Sequence, residues 1–318
     1  MSIRVDARDA RDKTDRKLEE MIRHLTAVYS DAADELGKKS RAYFEQFKKK
    51  DERMREKLEA GKITEKQYKS WRKAEMVAGK RYQRMQKQFT ERLANVNADA
   101  LAYINGEMPT VYATNYNAMG DITTETINET LGTGISFDLV DEDTVRLLSA
   151  EDPELLPKKT LVIEKDLRWN RQKMQAELLQ GILLGEDIPT IAARLRNVTD
   201  MNESAAIRNA RTMVTSAENR GRLDGMRRTS AMGIVQKKTW MSSDQPGRTR
   251  EWHMPGAFRA LTVDIEEPFE NELGKIMYPG DPAAAPANVY NCRCTLVTEV
   301  VGFIDPETGE YRRVEYGN

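Results

Sequence analysis

Three side chains near the end of the chain have the chemistry to bind a soft or borderline metal ion: His253, Cys292 and Cys294. Thiolates and imidazole are donors that zinc prefers, and Asp244 would complete a tetrahedral set. The spacing C-x-C differs from the usual zinc knuckle, in which two or more residues separate the cysteines. The alternative is that both cysteines are small buried hydrophobic side chains and that His253 forms hydrogen bonds in the core. We therefore weigh a zinc site against a chain with no cofactor.

Two hydrolytic activities would use the same stretch. A cysteine hydrolase would need a thiol as nucleophile, His253 as base and Asp244 as the orienting group. A nuclease would use Arg248, Arg250 and His253. No local signature supports either activity, and a scaffold in which Arg250 pairs with Asp244 or with a backbone carbonyl is the simpler interpretation. We therefore assign no catalytic residue and predict that the protein is not an enzyme.

The residues around this stretch predict a small α+β module over residues 234–303, followed by a C-terminal tail over 304–318. The segment IVQKKTWMSS predicts a strand, and NCRCTLVTEVV ends in another. Frequent proline and glycine residues between them exclude long regular elements. If the second strand begins at Asn291, strand alternation places the two cysteines on the same face.

Residues 1–118 predict an extended helical hairpin arm. Apolar residues recur at helical spacing through the first half, and the segment AGKIT then interrupts the pattern. Thr64, with Gln67 three positions later, predicts the N-cap of a second helix that runs from about Glu65 toward Tyr116. The apolar seam is thin, so we expect the arm to need a partner that buries it.

The middle of the chain predicts a linker with short helices over residues 119–159 and a helical domain over residues 160–233. In the second segment, Gly185 ends one helix and Asp187 caps the next. Asn202 or Ser204 then opens a further helix. Small residues four positions apart on this last helix favour close helix packing; they are Ala217, Gly221 and Gly225.

The predicted fold class is therefore mainly α in the N-terminal and middle parts, a long helical hairpin plus further helices, with the small α+β module at the C-terminus. The 318 residues are 39% hydrophobic and 32% charged, and the mean hydropathy of −0.68 suits helices with solvated surfaces. Two cysteines cannot form a disulfide framework. The sequence has no secretory signal and no apolar run of about 18 residues, so we expect a soluble protein with no membrane contact.

The charges are distributed unevenly, since residues 1–100 hold 26 Lys and Arg against 18 Asp and Glu, whereas the remainder holds 24 against 33. On a continuous second helix, six cations would fall within roughly 60° of one another. An ordinary solvated face is one interpretation; a contact with nucleic acid or with an acidic protein surface is the other. The six residues are Lys66, Lys69, Lys73, Lys80, Arg84 and Lys87.

Four short motifs in the C-terminal region resemble the tailed-bacteriophage minor head proteins of the phage Mu F-like head morphogenesis family. They are W-x3-D, T-R-x2-H, Y-P-G-D-P and N-C-R-C, in that order. The resemblance covers roughly residues 160–302, including GEDIPTIAARL and the Arg211-Thr212 and Asn219-Arg220-Gly221 segments. The motif residues are Trp240, Asp244, Thr249, Arg250, His253, Tyr278, Pro279, Asn291, Cys292, Arg293 and Cys294.

This resemblance implies a minor capsid protein that is associated with the portal protein and packaged inside the head. It implies a part in head assembly and in DNA delivery, with the virion as location and the host cytoplasm as the place of assembly. The partners expected on this basis are the portal protein and the major capsid or scaffolding protein. The basic residues of the arm add packaged double-stranded DNA, bound without sequence preference, as an expected partner. The rival interpretations are a metal-dependent nuclease or peptidase in the head, and a DNA-binding accessory protein without portal contact.

Overall fold

A computed structural model of the chain describes residues 2–243 and 249–314. The contacts group the chain into two compact units. The mixed unit consists of Met1–Ile22, Tyr103–Lys159 and Arg208–Asn318, and the helical unit consists of Arg23–Ala102 and Thr160–Ile207. The division of the sequence into five segments remains a prediction.

The elements confirm the predicted fold class, mainly α with a small antiparallel module at the C-terminus. In the described residues the helices are α1 (Arg8–Glu59), α2 (Glu65–Ala78), α3 (Lys80–Leu131), α4 (Glu142–Glu151), α5 (Ile163–Leu183), α6 (Ile188–Ala231) and α7 (Pro286–Val289). The strands are β1 (Ile3–Val5), β2 (Ile234–Met241), β3 (Thr262–Asp264), β4 (Phe269–Asn271), β5 (Gly274–Ile276), β6 (Thr295–Ile304) and β7 (Tyr311–Arg313). None of the described helices combines the length with the apolar composition that a bilayer span requires.

The start of α2 follows the predicted capping box. Thr64 Oγ1 accepts a hydrogen bond from the Gln67 amide at 3.2 Å, and Gln67 Oε1 accepts one from the Thr64 amide at 2.8 Å. The single second helix predicted from Glu65 toward Tyr116 is wrong, because the extended backbone of Gly79 separates α2 from α3. A Cβ at Gly79 would lie 3.1 Å from the Glu75 carbonyl oxygen, so the interruption favours glycine.

The apolar seam of the helical hairpin is buried within the helical unit, by α5 and the first turns of α6. Side chains of α1, such as Phe44 and Phe47, share one core with Phe89 of α3, Leu178 of α5 and Leu195 of α6. Near the tip of the hairpin the rings of Phe47 and Trp71 stack at 5.8 Å between centroids. The partner that the thin seam requires is thus another part of the same chain.

Buried amides specify how the helices of this unit align. The Tyr29 hydroxyl donates to Asn97 Oδ1 at 2.6 Å, and Asn97 Nδ2 donates to Asn202 Oδ1 at 2.7 Å. Asn202 Nδ2 donates to Asn170 Oδ1 at 2.8 Å and to the Val198 carbonyl at 2.7 Å. The predicted helix start at Asn202 or Ser204 is therefore wrong, because the Asn202 side chain is satisfied inside the continuous helix α6. The predicted start at Asp187 is confirmed, since its Oδ1 accepts from the Thr190 amide at 2.9 Å.

The main sheet of the mixed unit has the antiparallel order β1-β6-β2-β3, and β7 also pairs with β6. The predicted strands β2 and β6 form its centre, with Trp240 opposite Leu296. Strand β1 was not predicted; its three residues pair with β6 so that Ile3 lies opposite Val300. Its side chain Val5 packs with Ile234, Val300 and Phe303 in a small core.

The small residues of α6 pack closely against α3, as their spacing predicted. A Cβ on Gly221 would lie 2.5 Å from the Tyr112 carbonyl oxygen, and one on Gly225 would lie 2.7 Å from that of Tyr116. No side chain fits at these positions unless the two helices move apart, because the atoms in the way belong to the backbone.

We predict that Gly221→Ala destabilises the protein by about 1–3 kcal/mol, because overpacking forces the backbones apart. The matched control is Gly106→Ala on α3, where a Cβ would meet nothing within 4 Å. The control should leave stability unchanged or raise it by roughly 0.5–1 kcal/mol. Urea unfolding of both variants measures the difference, and equal stabilities would contradict the close packing.

Strand β2 contains a buried amine, Lys238, whose side chain is 0% exposed. Its Nζ donates to the Met277 carbonyl oxygen at 2.9 Å and lies 5.2 Å from the centroid of the Phe269 ring. Burial lowers the pKa of Lys238 to about 8, because the charged form loses its hydration; Arg227 adds repulsion.

We predict a pH dependence that follows from this lowered pKa. Between about pH 8 and the ordinary lysine pKa near 10.5, the unfolded chain binds more protons than the folded chain, so stability rises with pH. Relative to Lys238→Met, the wild-type protein should gain up to roughly 3 kcal/mol over this range. Urea unfolding of both proteins at pH 7 and pH 10 tests this, and a constant difference would contradict it.

Candidate metal centre and its pocket

The structure brings His253, Cys292 and Cys294 together in the mixed unit. His253 Nδ1 lies 3.4 Å from Cys292 Sγ and 3.8 Å from Cys294 Sγ, and the three donor atoms lie within 4.8 Å of one another. All three side chains are buried, with exposed fractions of 2% for His253, 4% for Cys292 and 2% for Cys294. Asp244, the predicted fourth ligand, lies outside the described residues. Arg248, one of the three residues of the nuclease alternative, lies outside them as well.

A turn, rather than the pleat of a strand, places the two sulfur atoms on one side. Strand β6 begins at Thr295, so the strand start at Asn291 on which the alternation argument depended does not occur. Asn291 instead has a left-handed backbone with φ of 56°, which reverses the chain just before Cys292. The Cys294 amide then donates to Cys292 Sγ at 3.4 Å, which closes the turn around the first sulfur.

Polar side chains on one face of α6 hold this turn in place. Thr212 Oγ1 accepts from the Asn291 amide at 3.0 Å, and Thr215 Oγ1 donates to the Cys292 carbonyl at 2.7 Å. Asn219 Nδ2 donates to the Cys294 carbonyl at 3.2 Å, and its Oδ1 accepts from the Leu296 amide at 2.7 Å. We call Thr212, Thr215 and Asn219 the α6 ladder.

No sequence pattern indicated that the ladder has a role in the site, although Thr212 and Asn219 belong to the segments that carry the family resemblance. The available signal is the spacing of three and four positions, which places these polar residues on one helical face. Such a face is usually solvated, and only the packed structure shows that this one is directed at backbone groups of the cysteine turn.

One turn further along α6, Arg222 is fully buried and joins several elements. Its Nε donates to Asn115 Oδ1 at 3.0 Å, its Nη1 to the Leu296 carbonyl at 2.9 Å and its Nη2 to the Ala7 carbonyl at 3.3 Å. The carboxylate of Glu218 lies 3.4 Å away and also accepts from Thr295. Burial raises the pKa of Glu218, which Arg222 opposes.

The remaining motif residues are mainly structural. The indole of Trp240 packs against His253 at 5.2 Å, Phe258 at 4.7 Å and Phe269 at 5.3 Å between ring centroids. In the Y-P-G-D-P motif, Asp281 accepts backbone hydrogen bonds from Met277 at 3.0 Å and Ala283 at 2.9 Å.

Two further residues of that motif complete the packing. Gly280 has a positive φ of 84°, and a Cβ there would lie 2.8 Å from the Ser216 amide of α6. Burial raises the pKa of Tyr278 to about 12. The motif is therefore a tight turn that packs on α6 beside the candidate centre.

Arg250 joins the segment that contains His253 to the loop that contains the cysteines. Its guanidinium donates to the Ala287 carbonyl at 2.9 Å and to the Tyr290 carbonyl. The predicted scaffold role with a backbone carbonyl therefore matches the contacts of Arg250. The Ser242 hydroxyl donates to the His253 carbonyl, and Thr249 Oγ1 donates to the Ser243 carbonyl at 3.2 Å.

The side chains of the three candidate donors line a pocket of about 370 Å³. Its lining combines the three donors with hydroxyl groups and three arginine side chains, of which Arg293 is exposed. The lining residues are Arg211, Ser243, Thr249, Arg250, His253, Asn291, Cys292, Arg293 and Cys294.

The two thiols differ in acidity because they share a hydrogen bond. The hydrogen bond from Cys292, together with His253, lowers the pKa of Cys294. The same hydrogen bond and burial raise the pKa of Cys292. The pair therefore places a thiol of lowered pKa next to an imidazole, which is a donor set for a metal ion and also the contact that a cysteine nucleophile needs.

We predict that Asn219→Ala removes two of the four hydrogen bonds through which the α6 ladder holds the cysteine turn and the start of β6. Removal of these buried hydrogen bonds should destabilise the protein by about 1–3 kcal/mol and increase the rate at which a thiol reagent modifies the cysteines. Asn209→Ala is the matched control on the same helix, because the Asn209 side chain accepts its hydrogen bond from exposed Lys159. Equal modification rates in the two variants would contradict the positioning role.

Comparison with known families gives one match. Residues 172–297 match the family model described as "Phage Mu protein F like protein", inside the range 160–302 expected from the motifs. This range holds all the described motif residues. Comparison with curated proteins and with solved structures gave no match. Residues 172–297 are thus similar to the Mu F-like domain, and the match supports a Mu F-like phage head morphogenesis protein with this domain in the C-terminal part of the chain.

Proposed function

We propose that the protein is a minor head protein of a tailed phage that associates with the portal, is packaged inside the head and supports head assembly and DNA delivery. The observation that carries this proposal is the Mu F-like match over residues 172–297. The major capsid or scaffolding protein is a further proposed contact in the head. During assembly the protein is in the host cytoplasm.

Two basic faces of the helical unit support a contact with a polyanion. Because the helix breaks at Gly79, the six predicted cations form two sets, each at helical spacing: Lys66, Lys69 and Lys73 on α2, and Lys80, Arg84 and Lys87 on α3. All six side chains are exposed. Among the described residues only two of the six form ion pairs, Lys69 with Glu65 and Lys87 with Glu91.

Exposed lysines at this spacing suit phosphate groups or a carboxylate-rich protein surface. Such contacts depend on charge and not on base identity, so DNA binding would be insensitive to sequence and sensitive to salt. The excess of acidic residues after residue 100 would restrict binding to these faces. We therefore propose packaged double-stranded DNA as the ligand of the basic faces and the portal as the partner of the rest of the chain.

The proposal predicts that replacing either basic set with glutamine weakens DNA binding by the full-length protein. Each triple variant should lower affinity at least tenfold, and the slope of log K against log salt should fall by roughly 2–3, about 0.9 for each phosphate that the variant no longer neutralises. Portal binding, measured by pull-down with the portal protein of the same phage, should remain unchanged.

The matched control replaces three exposed lysines of α1 with glutamine: Lys38, Lys48 and Lys57. This control changes the net charge by the same amount. An equal loss of DNA affinity would therefore show that binding depends on the total charge of the protein and not on the two basic faces. Loss of portal binding with retained DNA binding would assign the faces to the portal. Absence of portal binding by the wild-type protein would favour a DNA-binding accessory protein.

A further inference from the structure

We propose that His253 Nδ1, Cys292 Sγ and Cys294 Sγ bind one zinc ion, and that the fourth coordination position opens into the pocket beside them. This site lies in the mixed unit and is independent of the proposed role in the head. Among the described residues it has three protein donors, whereas in a structural zinc site four protein ligands close the coordination sphere.

The separations between the imidazole nitrogen and the two sulfur atoms fit tetrahedral zinc. With Zn–S bonds of about 2.3 Å, Zn–N bonds of about 2.0–2.1 Å and tetrahedral angles, a nitrogen and a sulfur ligand lie about 3.6 Å apart. The two observed separations, 3.4 Å to Cys292 and 3.8 Å to Cys294, lie on either side of this value. Little movement is therefore needed for both sulfur atoms and the imidazole to reach one ion.

Hydrogen bonding alone leaves His253 poorly satisfied. Within the described residues, the polar partners of its Nδ1 are two sulfur atoms, which are weak donors and acceptors. Its Nε2 is buried and has no hydrogen-bond partner within the same residues. A metal ion at Nδ1 would replace these two weak contacts by one strong coordination bond.

The surrounding structure pre-positions the ligands. Both cysteine carbonyls accept hydrogen bonds from the α6 ladder, and Arg250 joins the loop before Cys292 to the segment of His253. Ligands fixed in this way lose little conformational entropy when a metal binds. Two sulfur donors and one imidazole nitrogen in a tetrahedral arrangement select zinc over magnesium or calcium, which prefer oxygen.

The pocket provides the fourth ligand from solvent. All three donor side chains line the pocket, and so does the exposed side chain of Arg293. Water or a small anion would therefore complete the tetrahedron, and the positive charge of the arginines would favour the anion.

The first test is the metal content of full-length protein purified without added chelator, measured by inductively coupled plasma mass spectrometry. We expect one zinc ion per chain, and stoichiometric rebinding after removal with a chelator. His253→Gln, Cys292→Ser and Cys294→Ser should each lower zinc affinity at least a hundredfold with an unchanged far-ultraviolet circular dichroism spectrum. The matched control is His24→Gln on α1, the other histidine of the chain, which should keep full zinc content.

A second measurement on the wild-type protein tests whether the site binds a metal ion, even if the variants do not fold. Cobalt that replaces zinc should show the thiolate charge-transfer absorption and the intense visible bands of a tetrahedral site with two sulfur ligands. Addition of azide should shift the visible bands, because the fourth position is open. Bands that are unaffected by azide but altered by Asp244→Asn would overturn the open position, and absence of stoichiometric zinc or cobalt binding would overturn the site.

Discussion

The buried guanidinium of Arg222 is the interaction on which the mixed unit depends. A cation without solvent contact is tolerated only if its donors and its charge are matched, and breaking such a set leaves a costly unpaired charge. The matching groups come from the residues before α1, from α3, from α6 itself and from β6. These segments are distant in the sequence, so the guanidinium can be satisfied only when the whole unit is assembled. The position of β6, and with it the turn that contains the two cysteines, is fixed by the same assembly.

Helix α6 combines two kinds of recognition along its length. Its glycines allow the backbone of α3 to approach, whereas its polar side chains bind backbone groups of the cysteine turn and of β6. The glycines and the polar side chains both contact backbone atoms. They therefore constrain where α3, the cysteine turn and β6 lie, without requiring particular side chains on those elements. The Mu F-like match includes this helix from its beginning to its end, together with the strands β2 to β5. Helix α6 and the site residues that it holds in place therefore lie together within the matched range.

Local signals were sufficient to predict much of the fold from the sequence. The capping box at Thr64, the cap at Asp187 and the strands β2 and β6 depend on neighbouring residues, and all were confirmed. Two of the errors concern long-range contacts: Asn202 resembles a helix start but is satisfied by side chains from other helices, and β1 is a strand only because β6 pairs with it. In the site, residue types indicated the three soft donors, but their separations depend on the turn at Asn291 and on the α6 ladder. No local pattern encodes those distances.

The pairing of β1 with β6 has a consequence for biosynthesis. Ile3 leaves the ribosome long before its partner Val300, because almost the whole described chain lies between them. The helical unit uses residues only as far as Ile207, so all of its segments have been synthesised before β6 emerges. The mixed unit must wait, because neither the sheet nor the Leu296 carbonyl that Arg222 binds exists before β6 emerges. Strand β1 is therefore without its pairing partner during most of synthesis, and a late step of folding joins two segments that are far apart in the chain.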